Sequence, residues 1–192
     1  MKKKIFIGVS AACLALSFFV GQYISTSSVH SENHLAVADS NLPLNEQVWG
    51  TQVAIKGTVL KQEVSSVREA DVPGQGFSFP VTPATIQVTE VLYGDVDTKQ
   101  LTLLQHGSDD DKKSAKHFVK VGQEYILLLT KTDDGKYWSY NYDDGVWNVE
   151  NGKVTKNTEQ ISKSLMTMSD KSEKVFKDEI VKAIKNQKKS SQ

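Results

Sequence analysis

Four histidines and two runs of aspartate have the widest chemical reach in this 192-residue chain. His106 and His117 flank a charged stretch. They could meet across its neck and take a metal with Asp109, Asp110 or Asp111. A hydrolytic zinc centre, however, needs three ligands in fixed geometry. No H-E-x-x-H pair supplies that spacing. His30 and His34 stand four residues apart in a Ser- and Asn-rich stretch without helical pattern, and read as solvated linker. Neither Asp109-Asp110-Asp111 nor Asp143-Asp144 alternates ligands and ends in a bidentate acid, as a calcium loop does. Lys112 and Lys113 directly follow the first run and offset it. Asp133, Asp134, Asp143 and Asp144 fit turn chemistry better. There is no G-x-S-x-G elbow. Gly74-Gln75-Gly76 follows Pro73 rather than a strand, so it is no phosphate loop. These residues lead to no assigned catalytic group, no metal and no cofactor.

The aromatic set is sharper. Trp138, Tyr140 and Tyr142 alternate, which puts them on one side of a strand. Trp147, on the next strand, could join them. Facing outward, such a stripe stacks planar ligands, and outside a cell a wall sugar is the sensible one. Facing inward, it is core. Both orientations are open at this level. Trp138, Tyr140, Tyr142, Trp147, His106 and His117 are therefore the candidate binding residues.

The elements that must position these groups read as strands over residues 46–155. Val53, Ile55 and Val59 alternate with polar neighbours, and Gly57 in the fourth inward place suggests a bend or bulge. Ile86 and Val88 repeat the alternation, and Leu101, Leu103 and Leu104 form a short strand. Tyr125 to Leu129 is a continuous apolar run, as expected for a strand covered on both faces. Residues 136–142 and 146–149 complete the set. Asp134-Gly135, Asp144-Gly145 and Asn151-Gly152 are hairpin dipeptides, which predicts an antiparallel meander over 124–155. Residues 67–83, with three prolines, and the charged stretch 107–120 read as irregular loops, and with the aromatics of 138–147 they are expected to carry the binding. Val175, Phe176, Ile180, Val181 and Ile184 then recur at helical spacing. Ser169 or Ser172 is placed to cap that helix. The fold class predicted is mainly β: an antiparallel five-to-six-stranded OB-like barrel with a C-terminal amphipathic helix.

The N-terminus predicts the location. Lys2, Lys3 and Lys4 precede an apolar run from Ile5 to Val20. As a helix it would span about 24–30 Å, near the thickness of a bilayer core. Basic residues stay on the cytoplasmic side, so the remainder faces outward. Residues 1–24 are thus a signal peptide or an uncleaved membrane anchor. Ser25-Thr26-Ser27 and Ala36-Val37-Ala38 are both candidate cleavage sites. Cys13, the single cysteine, lies within the apolar run, leaving the exported part without thiol or disulfide. That suits a Gram-positive exterior. Residues 25–45 read as a flexible tether, 46–155 as the barrel domain, and 156–192 as the C-terminal helix and tail.

Four segments resemble an uncharacterised extracytoplasmic domain family of Gram-positive bacteria: Val53-Ala54-Ile55-Lys56-Gly57-Thr58-Val59, Val88-Thr89-Glu90-Val91-Leu92-Tyr93-Gly94, Val121 to Leu129, and Asn151-Gly152-Lys153-Val154. The layout is similar to the netrin-like, or metalloproteinase-inhibitor-like, form of the OB barrel. The resemblance covers residues 47–155 and concerns turns and buried strands, so it implies fold more than function. The eukaryotic inhibitors use an N-terminal metal-ligating cysteine and disulfides. This chain has neither, so that mechanism is not implied.

The expected function is a noncatalytic extracytoplasmic interaction module at the cell surface, secreted or anchored through residues 5–24. Its partner would be an envelope protein or a cell-wall glycan. A hydrolase of envelope or wall polymers is the alternative. Zero net charge and export argue against a nucleic-acid partner. Oligomeric state is not legible.

Overall fold

The computed structural model describes residues 42–69, 76–157 and 163–190. The signal or anchor segment and most of the tether lie outside the described residues. Among those described, no helix is long and apolar enough to cross a membrane.

Alternation of side chains along two strands separates the inside of the molecule from the outside. Strand β1 (Val53–Gln62) sends Val53, Ile55 and Val59 inward. Strand β5 (Glu124–Lys131) sends Tyr125, Leu127 and Leu129 to the same interior. Their partners on the opposite face, Ala54 on β1 and Ile126 and Leu128 on β5, join a second apolar cluster. The unbroken apolar run in β5 therefore has the expected cause. Each face of the strand meets a different core.

Between these strands in the chain come β2 (Ser66–Glu69), β3 (Ser78–Tyr93) and β4 (Gln100–His106). After β5 follow β6 (Tyr137–Ser139), β7 (Val146–Glu150), β8 (Lys153–Lys156) and β9 (Lys171–Ser172). Five strands close a barrel in the order β1-β3-β4-β6-β5, with β5 returning to β1. Every seam is antiparallel except β4 with β6, which is parallel. The OB-like barrel read from the sequence is thus the architecture found, with one parallel seam added. Strands β7, β8 and β9 continue the sheet beyond β5.

The glycine expected to bend β1 does so. Register shifts between Lys56 and Gly57, where a Cβ would meet Ile86 Cγ2 at 2.6 Å and the Gln87 carbonyl at 2.7 Å. Two other expectations need correction. Residues 67–83 are not one irregular loop. β2 pairs with the first residues of β3, and Pro80 and Pro83 sit within β3. Residues 70–75 lie outside the described residues. Nor is 124–155 a simple meander. β6 and β7 pair with the same edge of β5, at Leu129–Lys131 and at Glu124–Leu127. They are two halves of one interrupted strand.

Four one-turn or longer helices complete the described chain. These are α1 (Leu44–Gln47), α2 (Lys112–Ala115), α3 (Lys163–Met166) and α4 (Glu173–Lys185). α1 begins inside the stretch read as tether, and Leu44 packs on the second core. Ser172 caps α4, its Oγ accepting from the Val175 amide, as one of the two expected serines. Phe176, Ile180 and Ile184 are buried, whereas Val175 is exposed. α4 lies over Ala54, Ile126, Leu128, Trp147 and Val154. Lys56 and Lys177 tie its first turn to the sheet, through Glu173 and Glu124 for Lys56 and through Glu173 and Glu90 for Lys177.

Candidate binding site

Three adjacent strands, β3, β4 and β6, place Phe79, His106 and Trp138 side by side. Register pairs Val81 with His106 and Leu104 with Trp138, which sets the neighbours two residues on. The barrel interior is filled by Leu101, Leu103 and Tyr137 from the alternate positions, so this group lies on the outer surface. Trp138 stacks on His106 at 4.2 Å and 13° between ring planes. Phe79 flanks both rings, at 5.2 Å and 6.1 Å, and Phe77 follows at 6.1 Å from Phe79.

Tyr142 reaches this group by leaving its strand. The Tyr140 amide donates to the Leu128 carbonyl at 2.8 Å, and the Leu128 amide donates to the Gly145 carbonyl at 2.8 Å. Residues 140–145 therefore loop out opposite a single residue of β5. Asn141 and Tyr142 turn the chain with φ of 42° and 68°. The neck is tight. A Cβ on Gly145 would stand 2.4 Å from the Leu128 carbonyl and 2.9 Å from the Tyr140 nitrogen. This excursion lays Tyr142 on the other face of His106, at 4.2 Å and 9°.

The result is a column: Arg68 over Trp138 at 5.9 Å, then His106, then Tyr142. Arg68 is held by a forked contact to Asp134, at 3.1 and 3.3 Å. Asp134 also accepts from Thr132 Oγ1 and pairs with Lys136. The Thr132 hydroxyl and then the two cations hold its carboxyl well below the usual range. This is the turn role expected of Asp134, with a second function as a clamp between β2 and the β5–β6 loop. Burial lowers the His106 pKa, which favours the neutral ring in the stack.

Beside the column is an open cleft of about 540 Å³. Phe77, Phe79, Pro80, His106 and Tyr142 form its apolar wall. Lys113, Ser114, His117 and Asp143 form the polar one. His117 Nδ1 stands 4.0 Å from Asp143 Oδ2. Burial raises the Asp143 pKa, with His117 opposing it. Burial also raises Tyr142, helped by the charge of Asp143.

Of the candidate residues, the structure brings four together: Trp138, Tyr142, His106 and His117. The two histidines line the same cleft. The aspartates between them point to other tasks. Asp109 accepts from Ser65 at 2.5 Å, and Asp111 caps α2 through the Lys113 and Ser114 amides. Among the described residues, no three His, Cys, Asp or Glu side chains gather as a metal site.

Tyr140 and Trp147 do not join the cleft. Tyr140 packs on the second core beneath α4. Trp147 is fully buried against Phe176, with ring centroids 4.9 Å apart, and its Nε1 donates to the Asp144 carbonyl. The three-residue alternation fails because the strand ends at Ser139 and the chain loops out after Tyr140. Arg68, Phe77, Phe79 and Lys113 fall in the two loops, 67–83 and 107–120, expected to carry binding, but neither they nor Asp143 were singled out individually from sequence. The period-two pair Phe77 and Phe79 was the available signal, masked by the prolines around it.

Comparison with protein-family models and with curated proteins finds no match for this chain.

Proposed function

We propose that this protein is a noncatalytic interaction module displayed outside the cytoplasmic membrane, and that it binds its partner in the cleft beside His106. The observation that carries the reading is the column Arg68–Trp138–His106–Tyr142, which holds exposed aromatic surface against an open, partly polar cleft. Sites for small ligands typically have this apolar wall with a few polar groups, at about 300–1,000 Å³. The basic and apolar N-terminal segment supports the location. Kinship with the Gram-positive extracytoplasmic family is part of the same reading. Its four motifs fall in β1, at the end of β3, in β5 and in the β7–β8 hairpin of a closed five-stranded barrel.

The test is capture from native cell envelope with the folded full chain as bait, a heat-unfolded bait as control, and Tyr142→Ala in parallel. A component held by the folded bait and lost with Tyr142→Ala is the expected result. Capture that ignores Tyr142→Ala, or none on the folded bait, overturns the assignment to this cleft.

A second reading, an envelope hydrolase, has one observation in its favour. Asp143 lines the cleft 4.0 Å from His117, and burial raises its pKa, the direction a general acid requires. It predicts turnover of wall polymer that Asp143→Asn abolishes.

A further inference from the structure

Building on the reading of the cleft as a binding site, we infer that its ligand is an uncharged saccharide chain, stacked through its pyranose rings on Phe77 and Tyr142. Three features of the cleft carry this.

The first is the wall. Phe77 and Tyr142 are 61% and 54% exposed, unusual for large aromatics in a domain with two closed cores. Neither side chain is swallowed by the column. Tyr142 covers His106 with one face only, and Phe77 touches Phe79 at its margin. A pyranose ring has a C–H face that lies flat on such a ring. The tyrosine adds a hydroxyl at the edge.

The second is the polar lining. Sugar hydroxyls both donate and accept, and need partners of both kinds. Here Lys113 donates and Asp143 accepts. Ser114 Oγ, which donates to Asp111 Oδ2 at 2.6 Å, keeps its lone pairs for a donor. His117 can serve either way. A proline-rich peptide brings carbonyls but few N–H donors, and would leave the Asp143 carboxyl without a donor from the ligand.

The third is charge. Lys113 and Asp143 line the same cleft, and the chain as a whole carries no net charge. Polyanions, whether nucleic acid or acidic glycan, bind where lysines and arginines replace counterions. This lining has one lysine and one carboxylate.

The experiment is calorimetric titration of the full chain with a β-1,4-linked N-acetylglucosamine tetramer and with cellotetraose. Hyaluronate serves as the anionic counterpart and a proline-rich decapeptide as the peptide counterpart. Saturable binding of at least one neutral oligosaccharide is expected. Phe77→Ala should weaken it about tenfold or more, since stacking on one aromatic side chain is commonly worth that much. Tyr142→Phe, which keeps the ring and the backbone turn, should retain most of it. No binding of either neutral oligosaccharide up to about 10 mM, a binding free energy of only about 3 kcal/mol, overturns the saccharide assignment. So does preference for hyaluronate or the peptide. Binding that Phe77→Ala leaves unchanged overturns the placement on this wall. The envelope capture separates the two levels. Loss of capture with Tyr142→Ala alongside failed saccharide binding would leave the cleft as the site and remove only the ligand class.

Discussion

Among single residues, Asp144 has the most unusual environment. It is 2% exposed, one residue from the pinched neck at Gly145. Burial raises its carboxyl to about 6, against a hydrogen bond from Asn141 Nδ2 that favours the charged form, and Asp143 adds to the rise. The sign of the linkage follows. Below about pH 4 the carboxyl is protonated in both folded and unfolded chains. Between there and pH 6 the folded state holds a proton that the unfolded state has lost, so stability falls as pH rises. Asp144→Asn keeps an acceptor for Asn141 and removes the titration. Urea unfolding at pH 4 and pH 7 should show the variant gaining on the wild type by on the order of 2 kcal/mol over that interval. A difference independent of pH would mean that Asp144 ionises without penalty. His106 works differently. Stacked between two rings, it contributes a flat neutral surface, and its value to the site is geometric.

At the scale of the element, the excursion at 140–145 decides whether a site exists. A straight strand through these residues would continue the ladder from β6 to β7 and keep Tyr142 off His106. Two left-handed residues and one crowded glycine prevent this. Gly145→Ala would push a methyl into the Leu128 carbonyl, so the neck must widen. The expected cost is about 1–3 kcal/mol of stability. The stack should loosen with it, visible as a change in near-ultraviolet circular dichroism from Trp138. A variant with wild-type stability and spectrum would show that the neck is not under this constraint. The β2–β3 pairing is the other decisive element. It carries Arg68 to Trp138 and aligns Phe77 with Phe79 along one cleft wall.

On the scale of the whole molecule, β5 belongs to both cores at once. Leu127 fills the barrel and Leu128 lies under α4, and both are fully buried. The barrel and the helix layer are therefore expected to unfold together. Leu127→Ala and Leu128→Ala should each cost about 2–5 kcal/mol. Tryptophan fluorescence and far-ultraviolet circular dichroism should give one coincident transition in each variant. Separate transitions in Leu128→Ala, with the helix lost first, would show that α4 is an independent layer.

Much of this was legible from local pattern. Period-two alternation in β1 and β5, the helical spacing from Val175 to Ile184 and the glycine at position 57 each depend on neighbours a few residues away. Such signals survive in one dimension. Asn151-Gly152 likewise formed the expected turn, with both residues at positive φ. Asp144-Gly145 did not, because its dipeptide is part of a neck held by Leu128, distant in sequence. The same holds for the site. Trp138, Tyr142, His106 and His117 were recognisable by type, and the alternation of 138, 140 and 142 suggested one common face. Only the tertiary structure separated Tyr140 and Trp147 into the core and supplied Phe77, Phe79 and Asp143. Which aromatic is buried depends on what the opposite element brings, here Phe176 of α4 over Trp147, and no spacing along the strand encodes that. Sequence determined the barrel and the stock of stacking residues. Long-range packing decided which of them line the cleft.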